Sequence, residues 1–305
     1  MAEPVRKMPA DWERETSPDS ADPFRYGYRI RYVHLPSGEV VEQQIPLTPE
    51  DLLDPEPGDV VGQSGPHFNV FFLVIALLRA YYESRKDVLI AGDMKMLWGI
   101  PGLKRPAPDI AVIPGVRDRD DPERTSFDVV QEGTRPCLVI EVVSSLDAET
   151  RRNDYEKKVR IYQQAGIPEY VILDPPNRTT QGRLLVSGHR LDADGLYQPI
   201  EPDERGFLLS ETTGLLFGVD KDGKTPLILD SRTGERLLKP AEEAVARKAA
   251  EQQAAREAKK RQAAEQRAAR EAKKRQAAEE RARAAEAEVN RLRAELEKLS
   301  RKPLA

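Results

Sequence analysis

Short apolar runs separated by turn signals dominate residues 25–240. Residues 26–33 and 40–45 flank the turn residues Ser37-Gly38, which predicts a β-hairpin. Residues 66–83 are apolar almost all round a helical wheel, which predicts a helix buried on every side. Four β-branched runs follow, at 88–91, 110–113, 138–143 and 170–173, each bounded by Gly, Pro or charge. They read as sheet strands, and Cys137, opening the third, reads as a core residue. Residues 147–165 read as a helix capped by Ser145 or Asp147 and ended by Gly166, with Pro168 preventing continuation. Strand, helix, strand of this kind makes a right-handed crossover onto a mixed sheet. Further short strands are expected at 183–186, 197–200, 207–209, 215–219 and 227–229. The body is therefore α/β (α+β), with one central mixed sheet flanked by helices.

Beyond residue 240 the pattern changes. Residues 241–305 contain no Gly and no aromatic residue, and Pro303 is their only proline. Ala, Glu, Lys, Arg and Gln fill the segment, which predicts one long helix. EQQAAREAKKRQAA at 251–264 recurs as EQRAAREAKKRQAA at 265–278, a repeat of two heptads. The seam offers little but Ala until Val289, Leu292, Leu296 and Leu299, spaced three, four, three. A solvated charged helix and a dimerising coiled coil both fit. Residues 1–24 mix four prolines with many charges and read as a flexible arm. The expected organisation is an arm (1–24), a folded body (25–238) and a C-terminal helix (239–305).

Composition narrows the class. The chain holds 48 Lys/Arg and 52 Asp/Glu, for a net charge of -4, which excludes a histone-like polycation. Residues 241–305 carry +6 and residues 1–240 carry -10. One cysteine excludes a disulfide framework and a Cys-rich zinc module, and the three histidines lack metal-motif spacing. The N-terminal sequence has no apolar core, and the longest apolar run, residues 70–78, is far shorter than the ~20 residues a membrane helix needs. A cytoplasmic protein without membrane contact is the expectation.

Two carboxylates stand where apolar strands should have none. Asp109 follows Pro108 and leads straight into Ile-Ala-Val-Ile; Glu141 interrupts Cys-Leu-Val-Ile-Glu-Val-Val. A charge in a buried strand is costly unless paired. A divalent cation shared by two acids on neighbouring strands would pair them, and Mg²⁺ prefers such oxygen ligands. Taken singly, Asp109 also fits a strand-entry residue and Glu141 the partner of a buried Arg. Asp154, Lys158 and Tyr162 share one helix face. They fit either a surface ion pair beside a core-edge Tyr or a lysine aimed at the strand ends.

The order of these segments resembles the Uma-two (Uma2) family, a branch of the PD-(D/E)XK nuclease superfamily. Pro108-Asp109 is similar to its PD step, Glu141-Val142-Val143-Ser144 to its E-V-x-S strand, and Asp154, Lys158 and Tyr162 to its D-x3-K-x3-Y helix. Gly166-Ile167-Pro168-Glu169-Tyr170 with Asp174-Pro175 resembles its closing segment, and His67 a His that opens its first core helix. The superfamily places a Lys two residues after the acid, where this chain has Val143. The resemblance implies that the lysine has moved to the helix as Lys158, with neighbouring Lys157 about 100° away. It further implies a restriction-endonuclease-like core with Asp109, Glu141 and Lys158 as catalytic residues. Mg²⁺ (or Mn²⁺) would be held by Asp109, Glu141 and the Val142 carbonyl, and DNA would be the substrate. His67, Asp93, Asp154 and Tyr162 are accessory candidates, and homodimerisation through the core or the C-terminal helix is expected.

An acidic body needs a local basic strip to meet phosphates. Candidates are Lys95, Lys104, Arg105, Arg117, Arg119, Arg124, Arg151 and Arg152. The rival function is a binding or assembly protein that keeps the fold without turnover and acts through its coiled coil.

Overall fold

A computed structural model describes residues 22–300 except 63 and 145. The arm expected over residues 1–24 lies almost wholly outside the described residues. The chain divides into two units, one up to residue 241 and the other from 242 onward.

The body begins with β1 (Gly27–His34), β2 (Val40–Pro46) and β3 (Val60–Val61), which form a separate sheet in the order β2-β1-β3. Helix α1 (Gly65–Tyr81) follows, with Ser64 accepting from the His67 N–H at its start. Next come β4 (Val88–Gly92), β5 (Lys95–Leu97), β6 (Ile110–Pro114), β7 (Ser126–Asp128), a short α2 (Val129–Glu132) and β8 (Leu138–Val142). The crossover contains α3 (Ala148–Arg152), a π-helical turn (Asn153–Lys157) and α4 (Lys158–Gln164), and leads into β9 (Glu169–Asp174). Then follow β10 (Leu185–Leu191), β11 (Tyr197–Pro199), β12 (Leu208–Ser210), β13 (Leu215–Val219) and β14 (Pro226–Asp230).

The central sheet is mixed, in the order β11-β10-β9-β8-β6-β4, with β8 and β9 parallel and the other neighbours antiparallel. Its middle strands are buried on both faces, which is why they read as unbroken apolar runs. Ile110, Val112, Ile140, Val171 and Leu173 pack with α1 and β13. Ala111, Ile113, Val139, Tyr170 and Ile172 pack with α4. Strand alternation puts Glu141 on the α4 face with Val139 and Val143.

The expected central mixed sheet is present, accompanied by three small sheets, β2-β1-β3, β12-β13-β14 and β5-β7. Two helix expectations are corrected. Helix α1 is not buried all round: it lays Val70, Val74 and Leu78 on the sheet, while Phe68 and Phe72 are about half exposed, their rings tilted against each other with centroids 4.8 Å apart. The helix expected over 147–165 is interrupted at Asn153–Lys157. There the Tyr170 hydroxyl donates to the Asp154 carbonyl at 2.8 Å and the Asn153 amide donates to the Pro49 carbonyl at 2.6 Å. Such outside partners accompany a widened turn, a feature common at functional sites. Asp147 caps α3, accepting from the Thr150 N–H, and Gly166, at φ +67, takes the left-handed position after α4.

The second unit is described by α5 (Pro240–Ser300). Val289 and Leu292 are about half exposed; the side chains of Leu296 and Leu299 lie outside those described. No helix among the described residues is long and apolar enough to cross a membrane.

Candidate active site

The β6–β8 register pairs Ile110 with Ile140, so Asp109 and Glu141 meet at the strand ends. Each carboxylate reaches the other's strand: Asp109 Oδ2 accepts from the Val142 N–H at 2.6 Å, and Glu141 Oε2 lies 3.4 Å from the Asp109 nitrogen. Glu141 is fully buried and Asp109 is 7% exposed. Lys158, at the start of α4, places Nζ 2.8 Å from Glu141 Oε2 and 2.8 Å from Asp154 Oδ1. The Tyr162 hydroxyl, one turn on, donates to Glu141 Oε1 at 2.5 Å. Lys157 points elsewhere and pairs with Glu50 and Glu149.

The accessory candidates divide. His67, buried at the start of α1, sets Nε2 3.3 Å from Asp109 Oδ2, while its Nδ1 has no partner among the described residues. Asp154 is buried in the π turn, with Oδ2 accepting from the Ser144 N–H at 3.3 Å. Asp93 stands in the left-handed region at φ +48, and its N–H donates to the Asp109 carbonyl at 3.2 Å. His67, Asp93, Asp109, Asp154 and Lys158 line one cleft of about 920 Å³.

Electrostatics in this cluster is dominated by the acids. Burial pushes the Glu141 carboxyl well above the usual range, and Asp109 and Asp154 push it further, with Lys158 opposing. Burial likewise raises Asp154. Burial opposes the Lys158 ammonium, but Asp154, Glu141 and Asp109 outweigh it and hold its pKa above the usual lysine value. Lys158 is therefore a fixed cation and donor, not a base. Ionising all three buried carboxylates against one lysine and one histidine would build up negative charge, which is why Glu141 and Asp154 are raised and what a hard cation would offset. Among the described residues, no three His, Cys, Asp or Glu side chains form a ready cation site. The donor set fits an ion that takes one or two carboxylates and fills its shell with water and substrate oxygens.

The candidate basic strip is corrected. Lys95 pairs with Asp54, Lys104 with Glu50, Arg105 with Asp54, Arg119 with Asp120, Arg124 with Glu132 and Arg152 with Glu149. Arg151 is buried, with Nη2 2.6 Å from Asp174 Oδ2. Seven of the eight candidates are thus engaged by carboxylates, which spacing in sequence does not reveal.

Sequence reasoning missed two features. Asn153, with Oδ1 lacking a partner among the described residues, lines the cleft beside Asp154. Asp174 holds Arg151, the Tyr155 hydroxyl and the Asn177 amide together. The Asp174-Pro175 step was the available signal for the second; Asn153 had none.

A mixed sheet with acids at two adjacent strand ends and a lysine on the following crossover defines a restriction-endonuclease-like α/β protein. The chain belongs to the Uma2 family, whose model matches residues 37–220 and is described as "Putative restriction endonuclease". That span includes every residue of the cluster and excludes α5. A crystal structure of a "putative nuclease belonging to DUF820" from Anabaena variabilis is similar at 15% identity, covering 55% of this chain and 90% of that one, with a TM-score of 0.37. No protein of curated function matches the chain.

Proposed function

We propose that the protein is a metal-dependent DNA endonuclease that hydrolyses phosphodiester bonds at the Asp109–Glu141–Lys158 centre. The observation that carries this reading is the position of Lys158 Nζ, 2.8 Å from the Glu141 Oε2 that also lies 3.4 Å from the Asp109 nitrogen at the strand ends. Val143 stands where the superfamily pattern has its lysine, and the Lys158–Glu141 contact supports Lys158 as the substitute. Family membership supports the nuclease class.

Asp109, Glu141 and the Val142 carbonyl would hold Mg²⁺ or Mn²⁺. Such an ion, when bound, lowers the pKa of a water and offsets charge on the scissile phosphate. The chain's own groups do the rest. Lys158 orients the attacking water and meets negative charge growing on the phosphoryl oxygens. Tyr162 fixes the Glu141 carboxylate by donating to Oε1. His67 holds Asp109 through Nε2. Asp154 keeps Lys158 aimed at the strand ends.

The second reading is a non-catalytic binding or assembly protein acting through a coiled coil. It is favoured by the ion pairing of seven of the eight candidate cations. Nicking of supercoiled plasmid in Mg²⁺ separates the two. Lys158→Ala is expected to lower the rate about a hundredfold or more, with Lys157→Ala near wild type. Loss in Lys157→Ala with full activity in Lys158→Ala would move the assignment by one residue.

A further inference from the structure

Affinity for a nucleic-acid backbone comes largely from cations free to displace its counterions. Of the eight candidates in the body, seven are ion-paired. Helix α5 is different. Residues 256–281 hold ten Lys/Arg against five Glu. At about 100° per residue, Arg256, Lys260, Arg267, Arg270, Lys274 and Arg281 fall within about 40° of one direction. Glu257, Glu265, Glu279 and Glu280 lie about 100° or more from it, and Glu271 about 60°. All six cations are exposed, and among the described residues none is ion-paired. At about 1.5 Å per residue the stripe is ~38 Å long, close to one turn of duplex at ~34–36 Å.

We propose that this stripe is a sequence-independent docking surface for the phosphate backbone of duplex DNA, supplying affinity that the acidic body does not. The choice of DNA among polyanions rests on the nuclease reading above. The favoured occupant follows from charge: like-signed side chains in line match a polyanion. A second copy of the helix is the rival, but over this span the apolar positions are all Ala, which bury little area per heptad.

The test uses the full chain, in EDTA so that no cleavage intervenes, with a labelled 24-bp duplex of arbitrary sequence. Anisotropy is followed across 50–200 mM salt. One variant combines Lys260→Gln, Arg267→Gln and Lys274→Gln; the other combines Arg261→Gln, Arg275→Gln and Arg283→Gln, removing equal charge from other faces. Gln keeps helix propensity, and circular dichroism checks helicity. The stripe variant is expected to lose about 2 to 3 from the slope of log K against log salt and at least ~10-fold in affinity, at about 0.9 per phosphate contact. The second variant is expected to stay within ~3-fold of wild type. Equal weakening by both variants, or by neither, overturns the proposal. So does unchanged DNA binding with a fall in mass by light scattering, which would assign the stripe to helix pairing. Wild type that binds through the stripe but never nicks with added metal sinks the nuclease reading alone. Wild type that nicks while the stripe variant binds normally sinks this one alone.

Discussion

Asp174→Ala removes the acceptor at the centre of a buried clamp. Asp174 is fully buried and accepts from Arg151 Nη1 at 3.0 Å, Arg151 Nη2 at 2.6 Å, the Tyr155 hydroxyl at 3.0 Å and the Asn177 amide at 3.2 Å. The Arg151 side chain is 9% exposed, so the variant strands a guanidinium with little water to replace its partner. Breaking one side of a buried pair costs about 3–5 kcal/mol. With a urea m-value of ~3 kcal/mol per M, the midpoint falls by about 1–1.7 M. Emission from Trp98, 5% exposed in the body's core, follows that unit when Trp12 is replaced by Phe in every protein compared. Arg151→Met combined with Asp174→Leu should recover part of the loss, because no buried charge is left unpaired. Arg151 lies in α3 two residues before the π turn that carries Asp154, so the single variant should also nick DNA more slowly. A midpoint shift below ~0.3 M in Asp174→Ala would refute the clamp.

Three more outcomes are expected. Burial favours the neutral form of Glu169, but donors from Ser210, Thr212, Arg190 and the Glu211 amide outweigh it and lower its pKa. Its contribution is therefore full above the unfolded value of about 4.3 and lost as pH falls through the folded value. The stability gap between wild type and Glu169→Gln should narrow from pH 6 to pH 3, and a pH-independent gap would contradict this. His67→Ala should raise the Mg²⁺ concentration for half-maximal nicking about tenfold or more, as loss of a ligand's supporting hydrogen bond does; an unchanged value would leave His67 a purely structural residue. Val289, Leu292, Leu296 and Leu299 contribute about 1.5 kcal/mol each when fully buried, so light scattering should give a larger oligomer for the full chain than for a chain ending at Pro240. Equal subunit counts would leave α5 unpaired.

The sequence made the sheet legible where physics left one solution. Runs such as Ile110–Ile113 and Leu138–Val142 are apolar at every position except Glu141 because both sheet faces are covered. For the same reason Asp109 and Glu141 stood out as charges needing partners. Lys158 was legible only through the resemblance, since a helical i, i+4 pair is equally at home on a surface. The π turn was hidden because its outside partners, Tyr170 and Pro49, are distant in sequence. Three-residue strands such as β5 and β7 carry too few positions to show a period. The exposed Phe68–Phe72 pair escaped notice because composition does not say which side of a helix meets the sheet.

The central claim is that Asp109, Glu141 and Lys158 form a metal-dependent phosphodiesterase centre. Nicking of supercoiled plasmid by wild type and Glu141→Ala, each in Mg²⁺ or Mn²⁺ and in EDTA, tests it most directly. The account predicts nicking by wild type with metal, none in EDTA, and a loss of about a hundredfold or more in Glu141→Ala with Trp98 emission unchanged. A Glu141→Ala rate equal to wild type, or a wild type that nicks with neither ion, would contradict it.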